Sequence, residues 1–276
     1  RSSQQHQPQH REDFESMENQ SYTSSHPVTP NQLIRIHQVA QNHASADGVV
    51  VLLLATKGYA DMLSNFLCAA HKINVSNFLI LTHDEEIKHL ASVFNVGFYS
   101  PPLELNTTYR PTDASFGTVP YQELVLSRTG LALELLLFGF QPVIADVDTV
   151  WLSNPLAYLP WSSSFKDAQI VHNDRDVAIT DDSGEVCGCF IALRNTDQAV
   201  RFWSEVFIAH RKLVSDAVRV GGFVVFDESE QKILTELIYN RKYSNALAVL
   251  QLPGEMFPSG YSYFTLQTHR VQPVPP

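Results

Sequence analysis

Apolar positions in this chain alternate between short unbroken runs and longer stretches spaced three and four apart, a pattern that predicts strands separated by helices. Val49 to Ala55 is continuously apolar, as expected of a strand buried on both faces of a parallel sheet. It ends in Thr56-Lys57-Gly58-Tyr59, after which Met62, Phe66, Ala69 and Ile73 share one helical face. Phe78 to Leu81 repeats the strand pattern and stops at Thr82-His83-Asp84. Glu85 to Phe94 is helical through Ile87, Leu90, Ala91 and Phe94, with Gly97 near its stop. Tyr99 to Val119 carries three prolines and little periodicity, and reads as a long loop of the functional kind. Tyr121 to Phe138 is a strong helix closed by Gly139, and Pro142 opens the strand that delivers Asp146.

The second half continues the alternation. Ala168 to Val171 and Cys189 to Leu193 predict strands, with a polar, turn-like stretch from Thr180 to Glu185 between them. Asp197 is placed to cap a helix through His210, Glu228 to Asn240 gives another helix, and Ala246 to Leu252 another strand. The order implies an α/β fold: a mostly parallel sheet with helices on both faces. Residues 1 to about 30 are rich in Gln, Ser, His and Glu and nearly devoid of aliphatic side chains, while Gln32 to Asn42 has partial helical spacing. The expected division is a disordered, stem-like tail over residues 1–45 and one domain over 46–276.

The candidate chemistry lies in Val143-Ile144-Ala145-Asp146-Val147-Asp148-Thr149-Val150-Trp151, an apolar run that breaks into two aspartates. In an extended segment residues i and i+2 face one way, so both carboxylates can aim at one point at the end of a buried strand. Two hard oxygen donors suit Mn²⁺ or Mg²⁺ and leave positions for phosphate oxygens. Ligands in open α/β sheets sit at such strand ends. The same letters fit a haloacid-dehalogenase-like phosphatase, with Asp146 as nucleophile and Thr180-Asp181-Asp182 as a later acidic pair. That motif ordinarily occupies the first strand of its domain, whereas two strand–helix units precede Asp146.

Composition narrows the choices. A formal net charge of −10 argues against a broad nucleic-acid-binding face, so an anionic substrate needs local help from a cation. No apolar run is long enough to span a membrane. Cys68, Cys187 and Cys189 are too few for a disulfide framework; Cys187-Gly188-Cys189 is open to a metal-pair reading, but small core residues are the expectation. Asn19, Asn74 and Asn106 head N-glycosylation sequons, which permit a secretory-pathway protein. The chain starts at Arg1, so a processed or truncated piece is expected.

Several blocks together give a specific resemblance. Leu126-Ser127-Arg128, Gly139-Phe140, Ala145 to Asp148 and Val150-Trp151-Leu152-Ser153-Asn154-Pro155-Leu156 resemble the nucleotide-diphospho-sugar transferase family, which includes plant rhamnogalacturonan xylosyltransferases of glycosyltransferase family 77. Tyr109-Arg110, Phe116-Gly117-Thr118, Gly188-Cys189-Phe190, Arg201-Phe202-Trp203, Glu230-Gln231 and Leu252 to Phe264 agree in order, from about Val49 to the C-terminus.

The resemblance implies a GT-A-type, Rossmann-like fold, a UDP-sugar donor, Mn²⁺ and retaining transfer to a glycan or glycoprotein acceptor. Xylose is the first guess for the sugar. It also implies the Golgi lumen, with a membrane anchor preceding the present N-terminus. By that resemblance Asp146 and Asp148 hold the cation, and Thr56, Tyr59, Arg128, Val147 and Gly188 join them in the donor site. Thr56 and Tyr59 would face the uridine, or form a plain turn. Arg128 either snorkels to the surface or reaches phosphates or an acidic neighbour, and function is favoured. Glu230 and Gln231 are the candidate catalytic pair, with Glu230 standing where the family usually has Asp, a departure that leaves a non-catalytic glycan- or nucleotide-binding relative as an alternative. Asp181 and Asp182 either bind sugar hydroxyls or form a solvated turn. The family's His-Asn pair, a source of a third metal ligand, has no good match in His269, and that ligand is expected beyond residue 276.

Overall fold

The computed structural model describes residues 30–100, 118–162, 174–182, 184–220, 229–239 and 247–259. Seven strands form one sheet in the order β3-β2-β1-β4-β6-β5-β7. They are β1 (Val49–Leu54), β2 (Phe78–Leu81), β3 (Gly97–Tyr99), β4 (Gln141–Ala145), β5 (Val177–Asp182), β6 (Glu185–Leu193) and β7 (Val249–Gln251). Strands β1 to β4 pair in parallel, β6 runs antiparallel to both β4 and β5, and β7 lies parallel to β5. The expected mostly parallel α/β sheet is therefore observed.

Alternation along the central strands sorts the core into two layers. Val50, Leu52 and Ile144 face helices α1 (Pro30–His43), α4 (Val119–Leu137), α5 (Asp197–Val220) and α6 (Glu230–Tyr239). Val49, Val51, Leu53 and Val143 face α2 (Ala60–Lys72) and α3 (Glu85–Val93). Both sheet faces are covered, which is why β1 and β2 read as continuous apolar runs.

Local differences from the expectation have local causes. Helix α3 stops because Asn95 adopts the left-handed conformation (φ 53°), and Gly97 instead opens β3, which ends on the first residue of the expected loop. At Gly97 a Cβ would lie 2.7 Å from a ring atom of His43 and 3.2 Å from a methyl of Val39, so glycine lets α1 approach the sheet edge closely. Ile36 and Ala40 of α1 are buried in the core, so the tail expected over 1–45 does not reach residue 45; its first 29 residues lie outside the described residues. The α5 cap is Thr196, whose hydroxyl accepts the Ala199 N–H, not Asp197, and α5 continues ten residues beyond His210 to Val220. Thr180 to Asp182 belong to strand β5 rather than to a turn. Cys187 and Cys189, expected as separate core residues, are half-buried and bonded to each other in a disulfide across Gly188. The expected strand at 168–171 and most of the long loop lie outside the described residues, as do Asn19, Asn106 and His269.

Candidate active site

The two aspartates sit where β4 leaves the sheet, but not on an extended segment. Thr149 donates both its backbone N–H (3.3 Å) and its hydroxyl (2.7 Å) to the Asp146 carbonyl, closing Asp146 to Thr149 into a turn. Strand alternation therefore does not place the Asp146 and Asp148 side chains on one face. What fixes the turn is burial: Val147 and Trp151 insert into the core between them, Trp151 packing on Phe66, Phe78 and Phe190. Asp148 is left exposed and Asp146 half-buried, close enough for the Asp148 charge to act on Asp146. Because the Val147 side chain is 6% exposed in that core, only its main chain can face a donor.

Arg128 is the centre of the site. Helix α4 is apolar nearly all round, as a helix buried against a sheet should be, but Gln122, Glu123, Arg128 and Thr129 are buried with it. The Arg128 side chain, 7% exposed, donates Nη1–H to Asp146 Oδ1 at 2.5 Å and Nη2–H to Glu230 Oε2 at 3.1 Å. It does not snorkel. Burial opposes its charge, but Asp146 and Glu230 more than compensate and hold the guanidinium firmly protonated. Burial pushes the Asp146 carboxyl up; Arg128 pulls against that, while Asp148 and Glu230 push the same way as burial. The phenol of Tyr121 is pushed up to about 12, first by burial, with Arg128 opposing and Asp146, Tyr59 and Glu230 adding to the rise.

Glu230 begins α6, where a carboxylate is favoured, and is 5% exposed. Its second oxygen accepts the Thr129 hydroxyl at 2.8 Å. Gln231 points to the neighbouring strand, its Oε1 accepting the Gly188 N–H at 3.3 Å. That part of β6 is a bulge: β5 pairing jumps from Ile179–Ile191 to Thr180–Cys187, skipping Gly188 to Phe190. The Cys189 carbonyl then accepts the Asp146 N–H at 3.1 Å, so Gln231, Gly188 and Asp146 are mechanically linked.

The remaining candidates divide. Thr56 opens a 3₁₀ turn (Lys57–Tyr59) at the end of β1, the strand next to β4, and Tyr59 is near enough to Tyr121 to be felt electrostatically. Both thus flank the Arg128 cluster. Asp181 does not join it: its carboxylate accepts the Gly184 N–H (3.1 Å) in the β5–β6 turn and the Tyr239 hydroxyl (3.4 Å) from the end of α6. Asp182 pairs with Glu185 through its main chain, and its side chain lies outside the described residues. The later acidic pair needed by the phosphatase reading is therefore not assembled around Asp146 among the described residues.

Sequence reasoning missed three residues at or behind the site. Tyr121 was visible only as an inward position, and Thr129 and His210 only as polar interruptions of apolar helix faces.

Among the described residues no three His, Cys, Asp or Glu converge as a metal site. The donors present are two carboxylates, Asp146 and Asp148. They fit a hard divalent cation that completes its shell with water and phosphate oxygens. One guanidinium faces Asp146 and Glu230, and Asp148 adds a further negative charge felt at Asp146, so negative charge is in excess and favours a cation over a bare diphosphate.

The nucleotide-diphospho-sugar transferase family model matches residues 73–270, and the chain belongs to that family. Among similar proteins, the beta-arabinofuranosyltransferase RAY1 of Arabidopsis thaliana is 29% identical over 117 residues, 42% of this chain and 21% of that protein. The UDP-D-xylose:L-fucose alpha-1,3-D-xylosyltransferase of Arabidopsis thaliana is 25% identical over 261 residues, covering 88% of this chain and 67% of that one. An arabinosyltransferase of the same plant is matched over only 34% of its length, so this chain spans a minor part of some relatives. The crystal structure of the glycosyltransferase GlyE from Streptococcus pneumoniae superposes with a TM-score of 0.44 at 12% identity, covering 80% of this chain and 49% of that one.

Proposed function

We propose that this chain is a retaining glycosyltransferase that moves a sugar from a UDP donor to a hydroxyl of a glycan or glycoprotein. The observation that carries the reading is the Asp146–Arg128–Glu230 bridge at the end of β4, in a member of a nucleotide-diphospho-sugar transferase family. The relative named for UDP-D-xylose makes xylose the first donor sugar to test. The Golgi lumen is the compartment we assign to such a reaction. Among the described residues no helix is long and apolar enough to cross a membrane.

In this reading Asp146 and Asp148 hold Mn²⁺ or Mg²⁺, which offsets the negative charge gathering on the departing diphosphate. Arg128 supplies a fixed positive charge beside the same phosphates. It stays in place because Asp146 and Glu230 grip it from two sides, so little reorganisation is needed as charge develops. Both Glu230 oxygens are bonded inside the protein, which makes that residue a positioning group for Arg128 rather than a group that reaches the sugar. Gln231 holds the Gly188 bulge and through it the Asp146 main chain. Thr56 and Tyr59 flank the nucleoside end. Retention then follows from attack on the face the diphosphate leaves.

The test is calorimetric titration of UDP with Mn²⁺ and with chelator, for wild type and for Asp146→Asn/Asp148→Asn. Binding that needs Mn²⁺ and is lost in the double variant supports the reading. A folded wild-type chain that binds no UDP in Mn²⁺ overturns it.

A further inference from the structure

Helix α5 presents two polar side chains, Trp203 and His210, on one face seven residues apart, both fully buried in the interface with α4. Trp203 Nε1–H donates to the Thr129 carbonyl at 2.9 Å, and His210 Nδ1 lies 3.2 Å from the Thr129 hydroxyl. From that hydroxyl a continuous chain runs to the site: Glu230 at 2.8 Å, then Arg128 at 3.1 Å, then Asp146 at 2.5 Å. On the other side of the imidazole, Nε2 lies 3.3 Å from Gln122 Oε1.

Proton bookkeeping makes this chain directional. The Thr129 hydroxyl carries a single proton, for which the Glu230 carboxylate at 2.8 Å competes with the Val125 carbonyl at 3.0 Å. If it goes to Glu230, Thr129 must accept from His210, whose Nδ1 then holds a proton. If His210 is protonated only on Nε2 and donates to Gln122, Thr129 gives its proton to Nδ1 and Glu230 loses that donor. A proton on His210 Nδ1 thereby frees the Thr129 proton, and of its two remaining acceptors the charged Glu230 carboxylate is stronger than the Val125 carbonyl.

We propose that His210, acting through Thr129, is a positioning residue that fixes the Glu230 carboxylate and, through it, the Arg128 guanidinium of the donor site. Its consequence for donor binding rests on the glycosyltransferase reading; the coupling itself does not. The charged groups facing the imidazole are Glu230 from α6 and Arg128 from α4. Burial lowers the affinity of His210 for a second proton, Arg128 lowers it further, and Glu230 raises it. A histidine that merely fills the core would not transmit a change at Glu230.

The test uses ¹⁵N and ¹³C NMR of the His210 ring in ligand-free protein, together with UDP titration in Mn²⁺. In the wild type Nδ1 is expected to be protonated. Glu230→Gln removes the charge that favours the imidazolium and should lower the His210 titration by about half a pH unit or more. An unchanged tautomer and titration in Glu230→Gln overturn the proposal. Thr129→Val is expected to weaken UDP binding by about fivefold or more, with Thr129→Ser restoring it. Folded Thr129→Val and His210→Gln proteins that bind UDP like wild type also overturn the proposal. Should the wild type bind no UDP, the donor-site reading fails on its own, and the NMR coupling still decides the role of His210.

Discussion

Arg128→Met is the sharpest probe of the buried bridge. Arg128 and Glu230 are 7% and 6% exposed along their side chains and 3.1 Å apart, so the pair is desolvated and the variant strands a carboxylate in the interior. Losing one member of a buried pair costs about 3–5 kcal/mol, most of it the penalty on the charge left behind. Glu230 keeps the Thr129 hydroxyl at 2.8 Å, a charge-assisted bond that softens the loss by about 1 kcal/mol. Asp146 adds little, because its side chain is 39% exposed and can regain water. The expected net cost is about 3 kcal/mol, or about 6–12 °C in Tm for a domain of this size. Methionine retains most of the arginine stem, so the cost is not a packing cavity. Arg128→Met/Glu230→Leu removes both charges and should recover to within about 1 kcal/mol of wild type. Urea unfolding of ligand-free protein, followed by circular dichroism, measures all the variants needed for the double-mutant cycle. Arg128→Met costing under about 1 kcal/mol, or a double variant losing at least the sum of the singles, would refute the reasoning.

Burial, with Asp148 and Glu230, holds the Asp146 carboxyl above its ordinary range, so protons compete with Mn²⁺ at a higher pH than at an unperturbed aspartate. UDP affinity in Mn²⁺ should therefore fall as pH drops, before an ordinary aspartate protonates; calorimetry giving a flat affinity down to about pH 4 contradicts this. Thiol titration of the unfolded, unreduced chain should find Cys68 alone, and reduction should release Cys187 and Cys189; three thiols before reduction contradict the disulfide. Thr196→Ala removes the α5 cap at Ala199 (3.1 Å) and a hydroxyl bond to Asp176 (2.6 Å), and should cost about 1–2 kcal/mol in urea unfolding.

Strands β1, β2 and β4 were legible because each is buried on both faces, and only a continuous apolar run satisfies that condition. Strand β3 was not, since Gly97-Phe98-Tyr99 is three residues long and its identity depends on pairing with β2. The end of α5 was misplaced because the apolar stripe continues past His210 through Val214 and Ala217, and a buried histidine in that stripe looked like a stop. A side chain of this kind breaks the apolar pattern without breaking the helix when its ring nitrogens have partners, as Thr129 and Gln122 provide.

The acidic motif runs the other way: strand alternation pointed to Asp146 and Asp148, but the chain there is a turn. Asp146 and Asp148 come together through a turn pinned by the burial of Val147 and Trp151, so the apolar residues around the motif matter as much as its carboxylates. Replacing Val147 by a polar residue should disturb the site with no charge altered. What could not be read is the partner of Arg128. Glu230 stands 102 residues away, and only the docking of α6 against α5 and β6 brings it within 3.1 Å. Local pattern shows Glu230 as an acidic residue at a helix start, where its charge is favoured even on an exposed helix. Local pattern likewise shows Arg128 as one cation in an apolar face. Each has a plausible solitary explanation, and burial removes both at once: a guanidinium and a carboxylate that are both shut off from water require each other. The positive charge beside the proposed diphosphate site is thus a property of the tertiary fold, set by how α6 docks on α5 and β6 and so carries Glu230 to Arg128.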